Sequence, residues 1–211
     1  VDDPQYGRML QPGPLVWFRE SAEQMATPRG RVFGSVSDAL ERLSKNPRPQ
    51  FTFTDPHQPW MQGLKVLDLC NVIAGPHSVG YFARFGAEVI KIDPATPLYD
   101  AWNTVIFGMS HMRSKRSALL NVREGAGREA LERLIKQVDV IVWNATDAQV
   151  AEMRLDPENL QQINPNVILC QLDCFSGIRQ GPKTNYLGYD DLVQACTGIM
   201  QRFGGSMDRV E

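Results

Sequence analysis

The chain has 211 residues, of which 43% are hydrophobic and 22% are charged, and its formal net charge is −2. This length and composition provide a hydrophobic core for one large domain, or for slightly more than one. The small net charge gives no reason to expect nucleic acid or a membrane as a partner, and no apolar run is long enough for a membrane span. We therefore expect a soluble, cytoplasmic protein.

The four cysteines are scattered through predicted strands and helices, and they form no CxxC pair of the kind that indicates a metal site. We therefore expect no bound metal ion. We expect Cys70, Cys170, Cys174 and Cys196 to be buried free thiols in a reducing cytoplasm.

Residues 1–62 contain most of the 14 prolines of the chain, and proline disfavours helix interiors and central strands. Only residues 37–44 show helical spacing of apolar side chains, with Ser35 or Ser37 in the N-cap position. The pattern predicts a Pro-rich, irregular arm or connector that precedes the main folded domain.

Residues 63–93 have the pattern of one βαβ unit. Apolar runs at 65–69 and 88–92 predict two buried strands, and the spacing of apolar residues across 77–85 predicts a helix between them. Because parallel strands need such a crossover, this unit predicts a parallel sheet covered by helices.

Residues with special backbone or capping properties mark the ends of several predicted elements. We expect Gly75 to adopt a positive φ in the turn after the first strand, and Gly86 to cap the helix that follows. Thr146 or Asp147, and further along the chain Asp156, have the positions of helix N-caps. These signals place the helix boundaries of the domain.

The rest of the chain continues to alternate between helix-like and strand-like segments. Residues 99–112 predict a helix, and residues 189–201 predict the last helix, with Leu192 and Met200 among its inward-facing side chains. The elements between them are strand 118–122, helix 127–137, strand 139–143, helices 149–153 and 158–163, and strand 167–172. This alternation predicts an α/β fold, an open doubly wound parallel (Rossmann-like) sheet with helices on both faces.

Several blocks of the sequence match those of a known protein family in their order and spacing. They are GLKVLDLCNVIAGP at 63–76, FGAEVIKID at 85–93, KRS at 115–117, VDVIVWN at 138–144, INPNVI at 163–168 and GYDDLVQACTG at 188–198. Together they resemble the class III CoA-transferases, also called the CaiB/BaiF family. The resemblance implies that residues 63–211 are the N-terminal, Rossmann-like part of such a domain, truncated at its end.

The Pro-rich arm carries a weaker resemblance. Residues 3–8 and 12–18 are similar to a segment near the end of a class III CoA-transferase domain. This similarity implies that residues 1–62 are the tail of a preceding domain, in a tandem two-domain member of the family. The alternative is an arbitrary Pro-rich arm.

The resemblance implies an activity, namely CoA transfer between an acyl-CoA and a carboxylic acid through an aspartyl-CoA thioester. A carboxylate nucleophile suits this exchange because its acyl intermediate divides one difficult step into easier ones. In the family that aspartate follows the helix that matches 189–201, so we expect it beyond Glu211 and expect this chain alone to be inactive. The implied partners are acyl-CoA, a carboxylate acceptor, and either a second copy of the chain or a second domain.

The resemblance also implies where coenzyme A binds. The first CoA-contacting loop of the family matches Asn71, Val72, Ile73, Ala74, Gly75 and Pro76. The basic residues Arg113, Lys115 and Arg116 match the place where the CoA nucleotide binds, and cations there would complement its phosphate groups. Asn144 matches a turn near the adenine, and Phe175 matches an aromatic residue close to the thioester.

Two residues depart from particular branches of the family. Ile73 stands where the formyl-CoA transferase branch has glutamine, so oxalate chemistry is not implied. Tyr189 stands where the racemase branch has a histidine, and a tyrosine with an ordinary pKa of about 10 is a poor base at neutral pH. The resemblance therefore favours a transferase over a racemase.

Two other interpretations remain open. A nicotinamide-dependent oxidoreductase would bind a ribose through Asp93, but Gly75, Gly80 and Gly86 are too widely spaced for a GxGxxG turn. A non-catalytic, CoA-transferase-like domain would use the same sheet for subunit contacts, because members of the family form interlocked dimers.

Overall fold

The computed structural model describes residues 2–3, 5–9, 15–19, 35–45, 55, 57–96, 101–123, 125–175, 177 and 180–204. The chain divides into two compact units, residues 1–57 and residues 58–211. Much of the predicted Pro-rich arm lies outside the described residues.

Within the first unit, the described residues form a short antiparallel pair of strands and a helix. Strand β1 (Asp2–Asp3) pairs with β2 (Gly7–Arg8), and helix α1 spans Val36–Lys45. The backbone N–H of Asp38 donates a hydrogen bond of 3.2 Å to Oγ of Ser35. Of the two predicted N-caps, Ser35 is therefore the one that caps the helix.

The second unit is built on a five-stranded sheet in which all neighbouring strands are parallel. Its strands are β3 (Lys65–Asp68), β4 (Glu88–Asp93), β5 (Arg116–Leu119), β6 (Val140–Trp143) and β7 (Ile168–Gln171). They lie in the order β5-β4-β3-β6-β7, so the direction of winding reverses between β3 and β6. The predicted open, doubly wound parallel sheet is confirmed, and the reversal defines its topological switch point.

Among the described residues, helices connect the strands of this sheet, and two further helices follow its last strand, β7. They are α2 (Ala74–Arg84), α3 (Ala101–His111), α4 (Gly125–Ile135), α5 (Asp147–Glu152), α6 (Pro157–Ile163), α7 (Asp190–Thr197) and α8 (Ile199–Gly204). Thr146 and Gln149 form a capping box at the start of α5, and Asp156 caps α6 with proline at its first position. No helix among the described residues is both long enough and apolar enough to cross a membrane.

Side chains of the central strands alternate between two hydrophobic cores, because successive residues of a strand point to opposite faces of the sheet. Leu67 belongs to one core with Leu131 of α4, and Val66 belongs to the other with Val79 of α2. All of these residues are 0% exposed. Complete burial of such a side chain stabilises a fold by about 1.5–3 kcal/mol, so the two cores hold β3 firmly between the helical layers.

Three expectations about individual residues and elements are wrong. The segment predicted as one helix over 189–201 is broken into α7 and α8 by Gly198, which adopts a left-handed conformation with φ 76°. Leu192 is 50% exposed, and Met200 is also exposed, so neither faces inward among the described residues. Of the cysteines, only Cys70 is buried, although all four are free thiols.

Candidate functional site

The carboxyl ends of β3 and β6 meet at the switch point, which is where open α/β sheets bind ligands. Two asparagines join these ends by a reciprocal pair of hydrogen bonds. The backbone N–H of Asn71 donates to Oδ1 of Asn144 over 2.8 Å, and Nδ2 of Asn144 donates to the carbonyl oxygen of Asn71 over 2.7 Å. The pair fixes the loop after β3 against the loop after β6.

The loop after β3 leads directly into helix α2. Val72 has a φ of 65°, which is strained for a β-branched residue, and such strain is concentrated at functional sites. Ile73 is the N-cap of α2, and its side chain caps no backbone N–H. Ile73 and Ala74 are both exposed. An exposed helix N-terminus without a side-chain cap offers backbone N–H groups to an anion.

Gly75 has a different role from the predicted one. The residue with positive φ in this loop is Val72, and Gly75 lies within the first turn of α2. A Cβ atom on Gly75 would lie 2.4 Å from both Cβ and Sγ of Cys70, and 3.5 Å from Cγ of Asn144. Glycine is therefore required here because the helix packs directly against the strand end and the asparagine pair.

A buried ion pair lies beneath the same loop. Nζ of Lys115 donates to Oδ2 of Asp68 over 2.8 Å and to the carbonyl oxygen of Pro76 over 2.7 Å, and both charged side chains are 0% exposed. Oδ1 of Asp68 accepts a hydrogen bond of 2.9 Å from the backbone N–H of Cys70. The pair thus connects the end of β3 to the first turn of α2.

The thiol of Cys70 borders this ion pair. Burial raises the pKa of Cys70, and the nearby carboxylate of Asp68 adds to the increase. Cys70 therefore stays protonated at neutral pH and is not a nucleophile, since nucleophilic reactions of cysteine require the thiolate.

The three basic residues predicted to bind the CoA nucleotide lie in three different environments. The ammonium group of Lys115 forms the buried ion pair with Asp68. Arg116, at the amino end of β5, forms an exposed ion pair with Glu88, with 3.4 Å between Nη1 and Oε1. Arg113 lines a cleft between α2 and α3. The structure therefore does not gather the three side chains into one cluster.

Two other predicted residues lie at the carboxyl ends of strands: Asp93 is the last residue of β4, and Phe175 lies beyond the end of β7. Phe175 is half-buried beyond β7, and Nζ of Lys183 lies 5.8 Å from the centroid of its ring. Asp93, the residue that a nicotinamide-binding fold would use for a ribose, is engaged by Lys91 at 2.6 Å. The carboxylate of Asp93, which a nicotinamide-dependent oxidoreductase would use to bind the ribose, is therefore already paired with a lysine.

Sequence reasoning missed the role of Asp68. The residue stands in an apolar run that was predicted correctly as a strand, and a charged side chain in such a run has to find a buried partner. The charge of Asp68 within this apolar run was therefore the sequence signal that indicated a buried ion pair. Its partner, Lys115, lies 47 residues further along the chain, and no local pattern connects the two residues.

Comparison with known proteins places the chain among the CoA-transferases. CoA-transferase family III matches residues 61–210. The CoA-transferase/lyase DddD of Marinomonas sp. (strain MWYL1) is 47% identical over 212 residues, which cover 97% of this chain and 25% of that protein. Human succinyl-CoA:glutarate CoA-transferase is 30% identical over 152 residues, covering 68% of this chain and 34% of the enzyme. The chain thus spans far less than the full length of these relatives.

Solved structures agree with the sequence comparison. A CAIB/BAIF family protein from Brucella suis is 30% identical with a TM-score of 0.59, and the match covers 68% of this chain and 40% of that one. Rv3272 from Mycobacterium tuberculosis is 25% identical with a TM-score of 0.60, covering 69% of this chain and 42% of that one. The chain therefore belongs to CoA-transferase family III.

Proposed function

We propose that this chain supplies the CoA-binding, Rossmann-like part of an enzyme that transfers CoA between an acyl-CoA and a carboxylic acid. The observation that carries the proposal is the asparagine pair, Asn71 with Asn144, at the switch point of the sheet. Asn71 of this pair stands shortly before the start of α2, which has no side-chain cap and lies at the carboxyl edge of the sheet. Membership of CoA-transferase family III supports the same ligand.

The loop residues and Asn144 have distinct roles in this proposal. The N–H groups at the start of α2 face the diphosphate of CoA, and the exposed side chains of Ile73 and Ala74 contact the rest of the ligand. Asn144 holds the loop in its strained shape and borders the adenine. Phe175 packs beside the thioester end.

Lys115 acts in this proposal by holding the loop rather than by contacting a phosphate, because its ammonium group is fully buried. Arg113 is exposed and remains a proposed phosphate contact. Arg116 is exposed as well, but it stands at the amino end of β5 and is paired with Glu88, so a phosphate contact from Arg116 requires that ion pair to open. A comparison of CoA with dephospho-CoA tests them, because only CoA carries the 3′-phosphate.

The chemical step requires a carboxylate nucleophile, and Asp68 is unsuitable because it is buried and paired with Lys115. We propose that the nucleophilic aspartate lies in the part of the protein that follows this chain, and that residues 1–62 are the tail of a preceding domain. The match to DddD is consistent with this arrangement, since its 212 residues include the arm and make up 25% of that protein.

Calorimetric titration with CoA tests the proposal. We expect the wild-type chain to bind CoA and the Asn144→Ala variant to bind it at least about tenfold more weakly, because two hydrogen bonds that shape the loop are lost. Asn166→Ala is the matched control, since Asn166 is exposed in the turn before β7. Equal affinity of wild type and Asn144→Ala, or tight binding of NAD without binding of CoA, would contradict the proposal.

A further inference from the structure

A cleft between α2 and α3 carries positive charge that none of the described residues in its wall balances. It is lined by His77, Tyr81 and Arg84 of α2 and by Ser110, His111 and Arg113 at the end of α3. No acidic side chain is among the described residues that line it. Arg84 lies over the ring of Tyr81, with 5.5 Å between Cζ and the ring centroid. Two guanidinium groups therefore border the cleft without an opposite charge beside them.

His111 supplies an independent sign of a missing ligand. The residue is 7% exposed, and its Nδ1 atom is buried without a hydrogen-bond partner in the described part of the chain. Its ring meets that of His77 edge to face, with 5.1 Å between centroids, and stacks on Phe107. A buried ring nitrogen without a partner is unfavourable. The ring lies in the wall of the cleft, so a ligand acceptor that reaches Nδ1 would remove that penalty.

Charge and ligand number decide what kind of group fits the cleft. Two imidazoles are too few to hold a metal ion, and no group of three metal-binding side chains occurs among the described residues. The carboxyl end of α3 opposes an anion with about half an elementary charge, but the two guanidinium groups contribute two full positive charges. An oxyanion is therefore the favoured ligand.

We propose that this cleft binds a phosphate group, held by the guanidinium groups of Arg84 and Arg113 and by a hydrogen bond from the imidazole of His111. Arginine suits this role because its planar fork donates two parallel hydrogen bonds to a phosphate. The phosphate group comes either from a free anion or from a nucleotide such as CoA. Binding of inorganic phosphate does not depend on the function proposed above, so the two proposals can fail separately.

Proton binding by His111 is coupled to occupancy of the cleft. Burial lowers the pKa of His111, and the neighbouring His77 and Lys115 add to the decrease. The other charged groups at the cleft are Arg84 and Arg113, and they too are positive. A phosphate beside the ring stabilises the imidazolium form, so phosphate binding raises the pKa of His111 and becomes tighter as the pH falls.

Histidine NMR of the whole chain, titrated with inorganic phosphate, tests this proposal. We expect the His111 resonances to shift saturably, and the double variant Arg84→Gln/Arg113→Gln to bind phosphate at least about tenfold more weakly. Both arginines are exposed, so the variant keeps the fold, which circular dichroism verifies. Arg133→Gln, an exposed position in the last turn of α4, is the matched control and leaves binding unchanged.

Two further arms locate the site and identify the source of the phosphate. Asn144→Ala should keep the response to inorganic phosphate, because that residue belongs to the switch point and not to the cleft. A His111 shift with CoA that is absent with dephospho-CoA identifies the 3′-phosphate as the ligand. The proposal is overturned when neither phosphate nor CoA shifts His111, when the double variant binds as well as wild type, or when Asn144→Ala abolishes the response.

Discussion

The side chain of Lys115 is 0% exposed, although the residue belongs to a basic sequence that suggests a surface cluster. Its ammonium group holds the end of β3 and the first turn of α2 together through Asp68 and the carbonyl group of Pro76. Pro76 belongs to the candidate site, and Asp68 ends the strand that leads into it. The residue therefore shapes the CoA loop from beneath.

Removal of one partner of this ion pair should be more harmful than removal of both. We expect Lys115→Met to destabilise the fold by about 3–5 kcal/mol in urea unfolding, because the carboxylate of Asp68 is left buried without a counter-charge. The double variant Asp68→Leu/Lys115→Met should recover part of that loss. Lys136→Met, at an exposed position after α4, should change stability by less than about 0.5 kcal/mol. A double variant that is no more stable than Lys115→Met would show that the two charges are not coupled.

His111 should make the stability of the fold depend on pH. Its pKa is lowered in the folded state, so the unfolded chain binds the proton more readily. The stabilising contribution is complete above the ordinary histidine pKa of about 6.5 and is lost as the pH falls from there towards the folded pKa. Urea unfolding at a series of pH values should show this slope in wild type and a smaller slope in His111→Gln. The exposed His57 provides the control, and a His57→Gln variant should keep the wild-type slope.

At the scale of the elements, short helices depend on their caps. Helix α5 has six residues, and its start is held by the reciprocal capping box of Thr146 and Gln149. The helix follows β6 and Asn144, so its position affects the edge of the candidate site.

Loss of this cap should destabilise the fold measurably. We expect Thr146→Ala to lower the free energy of unfolding by about 1 kcal/mol, because the backbone N–H of Gln149 loses its acceptor. Thr146→Ser keeps the hydroxyl and should retain most of the stability in chemical denaturation. Equal losses in both variants would indicate that packing of the threonine methyl group, rather than the cap, holds the helix.

Sequence patterns predicted elements well where the deciding interactions are local. The caps at Asp156 and Gly86 and the strand 65–69 depend on neighbouring residues, so their signals can be read from a short window. The last helix was predicted wrongly because its apolar spacing continues through Gly198, whereas the left-handed glycine ends α7. Local periodicity does not show where a backbone changes conformation.

At the scale of the whole molecule, the predicted sheet topology is confirmed because alternating strands and helices permit few arrangements. The loop after β3 and Asn144 could be chosen from the sequence, since parallel strands bring their carboxyl ends to one edge. The sequence could not show that Arg113, Lys115 and Arg116 lie apart. Their positions depend on contacts with α2, β3 and β4, which are distant in the sequence. Because the three cations are close together in the sequence, they suggested a shared phosphate site, but the structure does not bring their side chains together.

The central claim is that CoA binds at the carboxyl edge of the sheet, where β3 and β6 end. Hydrogen–deuterium exchange of the chain with and without saturating CoA tests it directly. We expect CoA to slow exchange in residues 71–75, which lead into and begin α2, and around Asn144. Protection confined to other parts of the sheet unit, with no change in that loop under saturation, would contradict the account.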